Sequence, residues 1–133
     1  MKAMICGVVL LVLAGPLRAD EIDWQRVQQT DVIDILTQDE DGEPRETSVW
    51  IVALDGHGYV RTNDSRWLAN IRRGSSVALR VDDQEFAVAA REPEDPAIGA
   101  RVEEQFKQKY GFVQRVMSTF RMSEPTLLEL TAR

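Results

Sequence analysis

One segment constrains this chain more than any other: Tyr59-Val-Arg-Thr-Asn-Asp-Ser-Arg-Trp-Leu-Ala-Asn-Ile-Arg-Arg73. Its aromatic and β-branched start, Tyr59 to Thr62, reads as a strand. Asn63, Asp64 and Ser65 supply turn and N-cap chemistry, and Trp67 to Arg73 reads as a short helix. A strand feeding a capped helix aims free backbone N–H groups and a positive dipole end at whatever lies above the turn. Arg61, Thr62, Ser65 and Arg66 stand at that end, and they are the donor types that suit a phosphate. The same residues also fit an ordinary strand–turn–helix with a solvated basic face.

The flanking pattern is that of a small mixed domain. Asp23 to Gln29 reads as a short capped helix packing Trp24 and Val27, and Asp31 to Gln38 as a strand ending in the turn-rich Asp39 to Pro44. Thr47-Ser-Val-Trp-Ile-Val-Ala-Leu54 is β-rich and largely apolar, which predicts one central strand buried on both faces. Asp55-Gly56-His57-Gly58 predicts a hairpin turn into the Tyr59 strand. Ser76 to Val81 and Glu85 to Ala90 form a second hairpin about Asp82-Asp83, with Val77, Leu79 and Val81 alternating. Asp95-Pro96 opens the longest helix, with Asp as the cap and Pro at the first helical position. Ile98, Val102, Phe106 and Tyr110 follow as one apolar stripe until Gly111. Phe112 to Phe120 predicts a further turn or two of helix, and Thr126 to Thr131 a closing strand. About six mostly antiparallel strands with three or four helices argue an α+β domain built on a small closed sheet.

The N-terminus differs in kind. Lys2, the apolar run Ile5 to Ala14 and the break Gly15-Pro16-Leu17-Arg18-Ala19 read as a secretory signal peptide over residues 1–19. The run is short for a spanning helix, and a retained membrane anchor is the alternative. The expected mature domain, residues 20–133, is periplasmic or secreted. Loss of Lys2 and Arg18 moves the formal charge from −6 to −8. So acidic a domain is a poor partner for nucleic acid or anionic membrane, and neither is expected. Cys6, the one cysteine, falls within the signal. The mature chain therefore has no disulfide, zinc-thiolate site or cysteine nucleophile. With His57 the single histidine, metal or haem ligation has little support and no metal is expected, although an oxygen-only metal site stays open. Glu103-Glu104 on the long helix read as solubility charges.

The order of elements, with Thr47-Ser-Val-Trp-Ile-Val ahead of Gly58-Tyr-Val-Arg-Thr-Asn-Asp-Ser-Arg and a helix, resembles the split-barrel flavin-binding proteins. Thr62-Asn63-Asp64-Ser65-Arg66 is similar to the Thr-Asn-x-x-Ser-Arg pattern of the pyridoxamine phosphate oxidase group, with one residue in place of two before the serine. Trp67-Leu-Ala-Asn70 is closer to the deazaflavin-dependent nitroreductases. The resemblance runs over roughly residues 30–131 and implies a split β-barrel of FMN-binding type. It makes Ser65 and Arg66 the expected phosphate ligands, with Arg61, Thr62, Asn63 and Trp67 beside them and Arg72 or Arg73 adding charge. Val49 and Trp50 lie on the strand that faces the isoalloxazine ring in relatives. FMN or a deazaflavin is the implied cofactor, hydride transfer the implied chemistry, and a homodimer with the cofactor between protomers the implied assembly. No catalytic residue follows. The sequence departs from the oxidase pattern at Trp67, where lysine is common, and at Thr47-Ser48, which lacks an arginine. Both losses remove positive charge, so the alternative is an exported, non-enzymatic split barrel that has lost its cofactor.

Overall fold

The computed structural model describes residues 21–119 and 125–133, the stretch 112–119 as backbone only. The expected signal segment, and Phe120 of the expected second helical stretch, lie outside the described residues. In chain order the elements are α1 (Trp24–Gln28), β1 (Ile33–Gln38), β2 (Pro44–Val49), β3 (Val52–Leu54), β4 (His57–Thr62), α2 (Arg66–Arg72), β5 (Val77–Val81), β6 (Gln84–Arg91), α3 (Pro96–Thr119) and β7 (Thr126–Ala132). The described strands form one seven-stranded sheet in the order β2-β1-β5-β6-β7-β4-β3. Every neighbouring pair in it is antiparallel.

The order itself shows why the sheet closes. Strands β2 and β3 are its two edges, yet only Trp50 and Ile51 separate them in the chain. Six inter-strand spacings would set the edges of a flat sheet roughly 29 Å apart. The three Cα steps from Val49 to Val52 reach at most about 11 Å. The sheet must therefore curl until its edges meet at residues 49–52, a barrel that is split alongside that junction.

This corrects the reading of Thr47 to Leu54 as one central strand. The segment is two edge strands with a crossing between them. Nothing in its composition marks the break, because the crossing is itself apolar and Ile51 is fully buried. Seven strands replace the expected six, since this one run supplies two.

The hairpins follow their turn chemistry. Asp55-Gly56 and Asp82-Asp83 all have positive φ, as two-residue turns matched to strand twist require. His57 consequently starts β4 instead of sitting in the turn. Alternation on β5 is as expected, with Val77, Leu79 and Val81 buried. They join Ile33, Ile35, Val60, Val88, Leu128 and Leu130 inside the barrel, with Val27 of α1 and Trp67 and Leu68 of α2 closing its ends. On β4, Val60 points into this core while its neighbour Tyr59 packs outward with Val52 against Val102 and Phe106 of α3. Strand β4 is thus buried on both faces, and α3 covers the outer wall at β3 and β4. Asp95 caps α3, its Oδ1 accepting from Ala97 N–H at 2.9 Å. Gly111 interrupts the helix with φ 57° and ψ −127°.

Candidate functional site

The split of the barrel opens as a cleft of about 400 Å³. Its walls come from the end of β2 (Thr47, Ser48, Val49), the crossing residue Trp50, the end of β4 (Arg61, Thr62), Trp67 of α2 and Phe106 of α3, with Val32 on the rim. That volume lies in the range of small-molecule sites, as does a mostly apolar lining with a few polar groups.

An aromatic column forms one wall. Trp50 stacks on Tyr110 with centroids 4.4 Å apart and rings 5° from parallel. Tyr110 in turn stacks on Phe106 at 5.8 Å, and the Arg61 guanidinium lies 3.8 Å from the Phe106 centroid. The column is anchored to the backbone of the crossing. The Tyr110 hydroxyl accepts from Ile51 N–H at 3.1 Å and lies 2.8 Å from the Asp31 carbonyl, to which it donates. Lys109 Nζ donates to the carbonyls of Ile51 at 2.7 Å and Val27 at 3.2 Å. Burial pushes the Lys109 amine down to about 8, against the opposing pull of the Asp31 charge. These contacts hold Trp50 in place, with one ring face given to Tyr110.

Arg61 is the cation of the cleft. Its side chain is only 8% exposed, and Nη1 donates to Glu103 Oε1 of α3 at 2.6 Å. Glu103 is 42% exposed. Reading Glu103 as a solubility charge was therefore wrong for this residue: it is the carboxylate set against the cleft's arginine. No local pattern could reveal that, because the partners are 42 positions apart. Phe106 and Tyr110 were legible as a buried stripe, but not as a wall of the site and the backing of Trp50.

Helix α2 sits where a buried polar knot holds it. Asn70 is 1% exposed, and its Nδ2 donates to Thr37 Oγ1 at 3.0 Å and Asp39 Oδ1 at 2.9 Å. Arg45 donates to both oxygens of Asp39, at 2.7 and 3.0 Å. The Arg45 and then the Asn70 hydrogen bonds hold the Asp39 carboxyl down at about 2. At the other end of α2, Ser65 is the N-cap, its Oγ accepting from Leu68 N–H at 3.2 Å. Thr62 Oγ1 has one proton for two acceptors, Asn63 O at 2.8 Å and Ser65 Oγ at 3.0 Å.

Five of the expected cofactor residues line the one cleft: Val49, Trp50, Arg61, Thr62 and Trp67. The others lie elsewhere. Asn63 is exposed in the turn, and Ser65 is occupied with capping. Arg66 is exposed and borders a separate depression shared with Asp39, Glu40 and Asp41. Arg72 pairs with Glu92 at 2.9 Å. His57 is not a loose turn residue: Nδ1 lies 3.2 Å from Glu129, which also accepts from Tyr59 at 2.7 Å and Arg91 at 2.6 Å. Burial and then the Glu129 contact push the Tyr59 hydroxyl up to about 12. Among the described residues, no group of three His, Cys, Asp or Glu side chains is placed to hold a metal.

Solved structures share this architecture. The heme storage protein HutZ from Vibrio cholerae is 16% identical over 82% of this chain and 86% of its own, with a TM-score of 0.66. A putative pyridoxamine 5'-phosphate oxidase from Listeria innocua is 14% identical, over 82% of this chain and 89% of its own, at 0.61. A FAD-binding protein from Mesorhizobium loti is 11% identical, over 82% and 84%, also at 0.61. These likenesses establish the fold as an α+β split barrel. A search of curated protein sequences found no match. A bacterial family described as "Uncharacterized protein conserved in bacteria (DUF2255)" matches residues 23–130, and this chain belongs to it.

Proposed function

We propose that this protein binds a flavin-type cofactor, FMN or a deazaflavin, in the cleft and acts as an oxidoreductase on a small substrate. One observation carries the reading: a planar wall, Trp50 backed by Tyr110, faces a cleft of about 400 Å³ whose other walls include Trp67 and Phe106. Flat apolar walls of this kind fit a planar ring. Strand β2 pairs only with β1 among the described strands. One row of its backbone N–H and C=O groups is therefore left for the polar edge of a ring. Val49, Trp50, Trp67 and Phe106 would hold the ring, while Thr62 on the cleft wall, with Ser65 and Arg66 beyond it, would be the groups for a phosphate reaching out of the cleft. The bound group supplies hydride chemistry, and the chain supplies orientation and exclusion of water.

A heme occupant is less well supported. Among the described residues, none that lines the cleft is a histidine, cysteine, methionine or tyrosine, the usual axial ligands. The second reading is a non-enzymatic split barrel without a cofactor. It draws on the Arg61–Glu103 pairing and on the acids beside Arg66, which leave little net positive charge for a phosphate.

Titration with FMN and with the deazaflavin separates the two. The flavin reading expects saturable binding by the wild type. Arg66→Ala should lose on the order of 1.5–3 kcal/mol, roughly a ten- to hundredfold drop, and His57→Ala should bind like the wild type. Equal, weak binding by all three proteins would leave the non-enzymatic reading.

Export and assembly belong to the same proposal. The mature chain should begin near Asp20 in a periplasmic or secreted fraction, and mass spectrometry showing Met1 or Lys2 there would count against it. A two-fold dimer burying more than ~1,000 Å² is supported by the open edge of β2 and by Val32, 49% exposed on the cleft rim. The sequence also suggests surplus apolar surface on Val49 to Leu54, with Trp50, and on Leu127 to Leu130, but Ile51, Val52, Leu128 and Leu130 are covered within the protomer and lend the dimer no support. Sedimentation as a monomer at tens of micromolar would refute the dimer.

A further inference from the structure

We infer that Arg61 is the anion-recognition group of the cleft and that Glu103 is its built-in competitor. An occupant carrying an anionic oxygen group, a cofactor phosphate or a substrate carboxylate, competes with Glu103 for the Arg61 guanidinium. An uncharged occupant leaves the pair intact. The inference rests in part on the flavin reading for the choice of probes, but not for its physical basis.

The two partners are held very differently. Arg61 is fixed: its side chain is 8% exposed, it lines the cleft, and its guanidinium sits over the Phe106 ring within the anchored column. Glu103 is 42% exposed at the surface of α3, and the Arg61 contact at 2.6 Å is what draws it inward. A carboxylate so exposed exchanges the arginine for water at little cost, whereas a buried guanidinium gains from an anion beside it. Arginine's planar fork donates bidentately to a carboxylate or to a phosphate. The cleft therefore holds a fixed cation and a movable internal anion.

The test is Glu103→Gln, which keeps an acceptor for Arg61 and removes the charge. Trp50 and Trp67 line the cleft and serve as reporters without any ligand. Quenching of tryptophan fluorescence by iodide, an anion, should rise about twofold in the variant, while quenching by neutral acrylamide should stay at the wild-type level and certify the fold. Titrations then use FMN, riboflavin as the same ring without phosphate, and benzoate as an aromatic carboxylate. Tightening of FMN on the order of tenfold, with riboflavin unchanged, identifies the phosphate as the displacing group. The same gain confined to benzoate identifies a carboxylate. If no probe binds either protein but the iodide response rises, the inference stands and the flavin reading falls. An unchanged iodide response overturns the inference, and so does FMN that binds both proteins while the variant tightens neither FMN nor benzoate.

Discussion

The inside of the barrel and the layer between its outer wall and α3 are both buried, yet they are made of different material. The barrel interior is aliphatic, with Ile33, Ile35, Leu79, Val88, Leu128 and Leu130 contributed by four strands. The outer layer is aromatic and polar: Tyr59, Phe106 and Tyr110 share it with Lys109, Arg61 and hydroxyl-to-backbone bonds. Interlocked aliphatic groups give stability without direction, while rings and hydrogen bonds give orientation at lower net stabilisation. The molecule thus keeps what holds it together separate from what shapes the cleft.

Four substitutions or conditions can break or sharpen that contrast. Leu79→Ala, in the barrel where no solvent reaches, should cost about 2–5 kcal/mol, and denaturant unfolding would measure it. The quenching behaviour of Trp50 and Trp67 should persist at temperatures where the variant remains folded. A loss of cleft properties in the folded variant would mean that the two regions are not separate. Gly58→Ala comes next. A Cβ there would run into the ring of Trp24, so overpacking should destabilise by about 1–3 kcal/mol through α1 and with no effect on the α3 layer.

Tyr110→Phe keeps the stack on Trp50 but removes the hydroxyl bound to Ile51 and Asp31. The expected loss is about 0.5–1.5 kcal/mol. Near-ultraviolet circular dichroism should change more than its stability does, since orientation is what the hydroxyl provides. The fourth is a pH dependence. Burial favours the neutral Lys109 amine, so the folded chain releases that proton near pH 8 and the unfolded chain only near 10.5. Between those values the unfolded state binds more protons, and the Lys109 contribution to stability rises with pH. The neutral amine still has two N–H groups for the Val27 and Ile51 carbonyls. Lys109→Met should remove the rise, and thermal melts of both proteins across that window would show it.

Much of the barrel was legible because local chemistry decides it. The Asp55-Gly56 and Asp82-Asp83 turns, the Ser65 and Asp95 caps and the Ile98–Tyr110 stripe are each written within a few residues. The α3 layer was not legible, since its decisive pairs join distant positions. Glu103 looks like any helix-surface acid until Arg61 is placed beside it. Trp50 and Ile51 look like mid-strand residues until Tyr110 and Lys109 are seen to hold their backbone. A break in a strand usually shows as glycine, proline or a polar cluster; here the crossing is buried, so it had to be apolar.

The place of β7 in the sheet has a consequence for the order of assembly. It lies between β6 and β4, pairing Val88 to Arg91 on one side and Gly58 to Thr62 on the other. Until residues 126–132 arrive, the chain can make only two fragments, β2-β1-β5-β6 and the small β3-β4 hairpin, each with an unpaired edge. Joining them requires contacts between residues as distant as Gly58 and Leu130, the kind of long-range pairing that slows folding. The interval with exposed edges is when such chains misassociate. The keystone strand therefore sets the speed at which this barrel forms and its exposure to aggregation on the way.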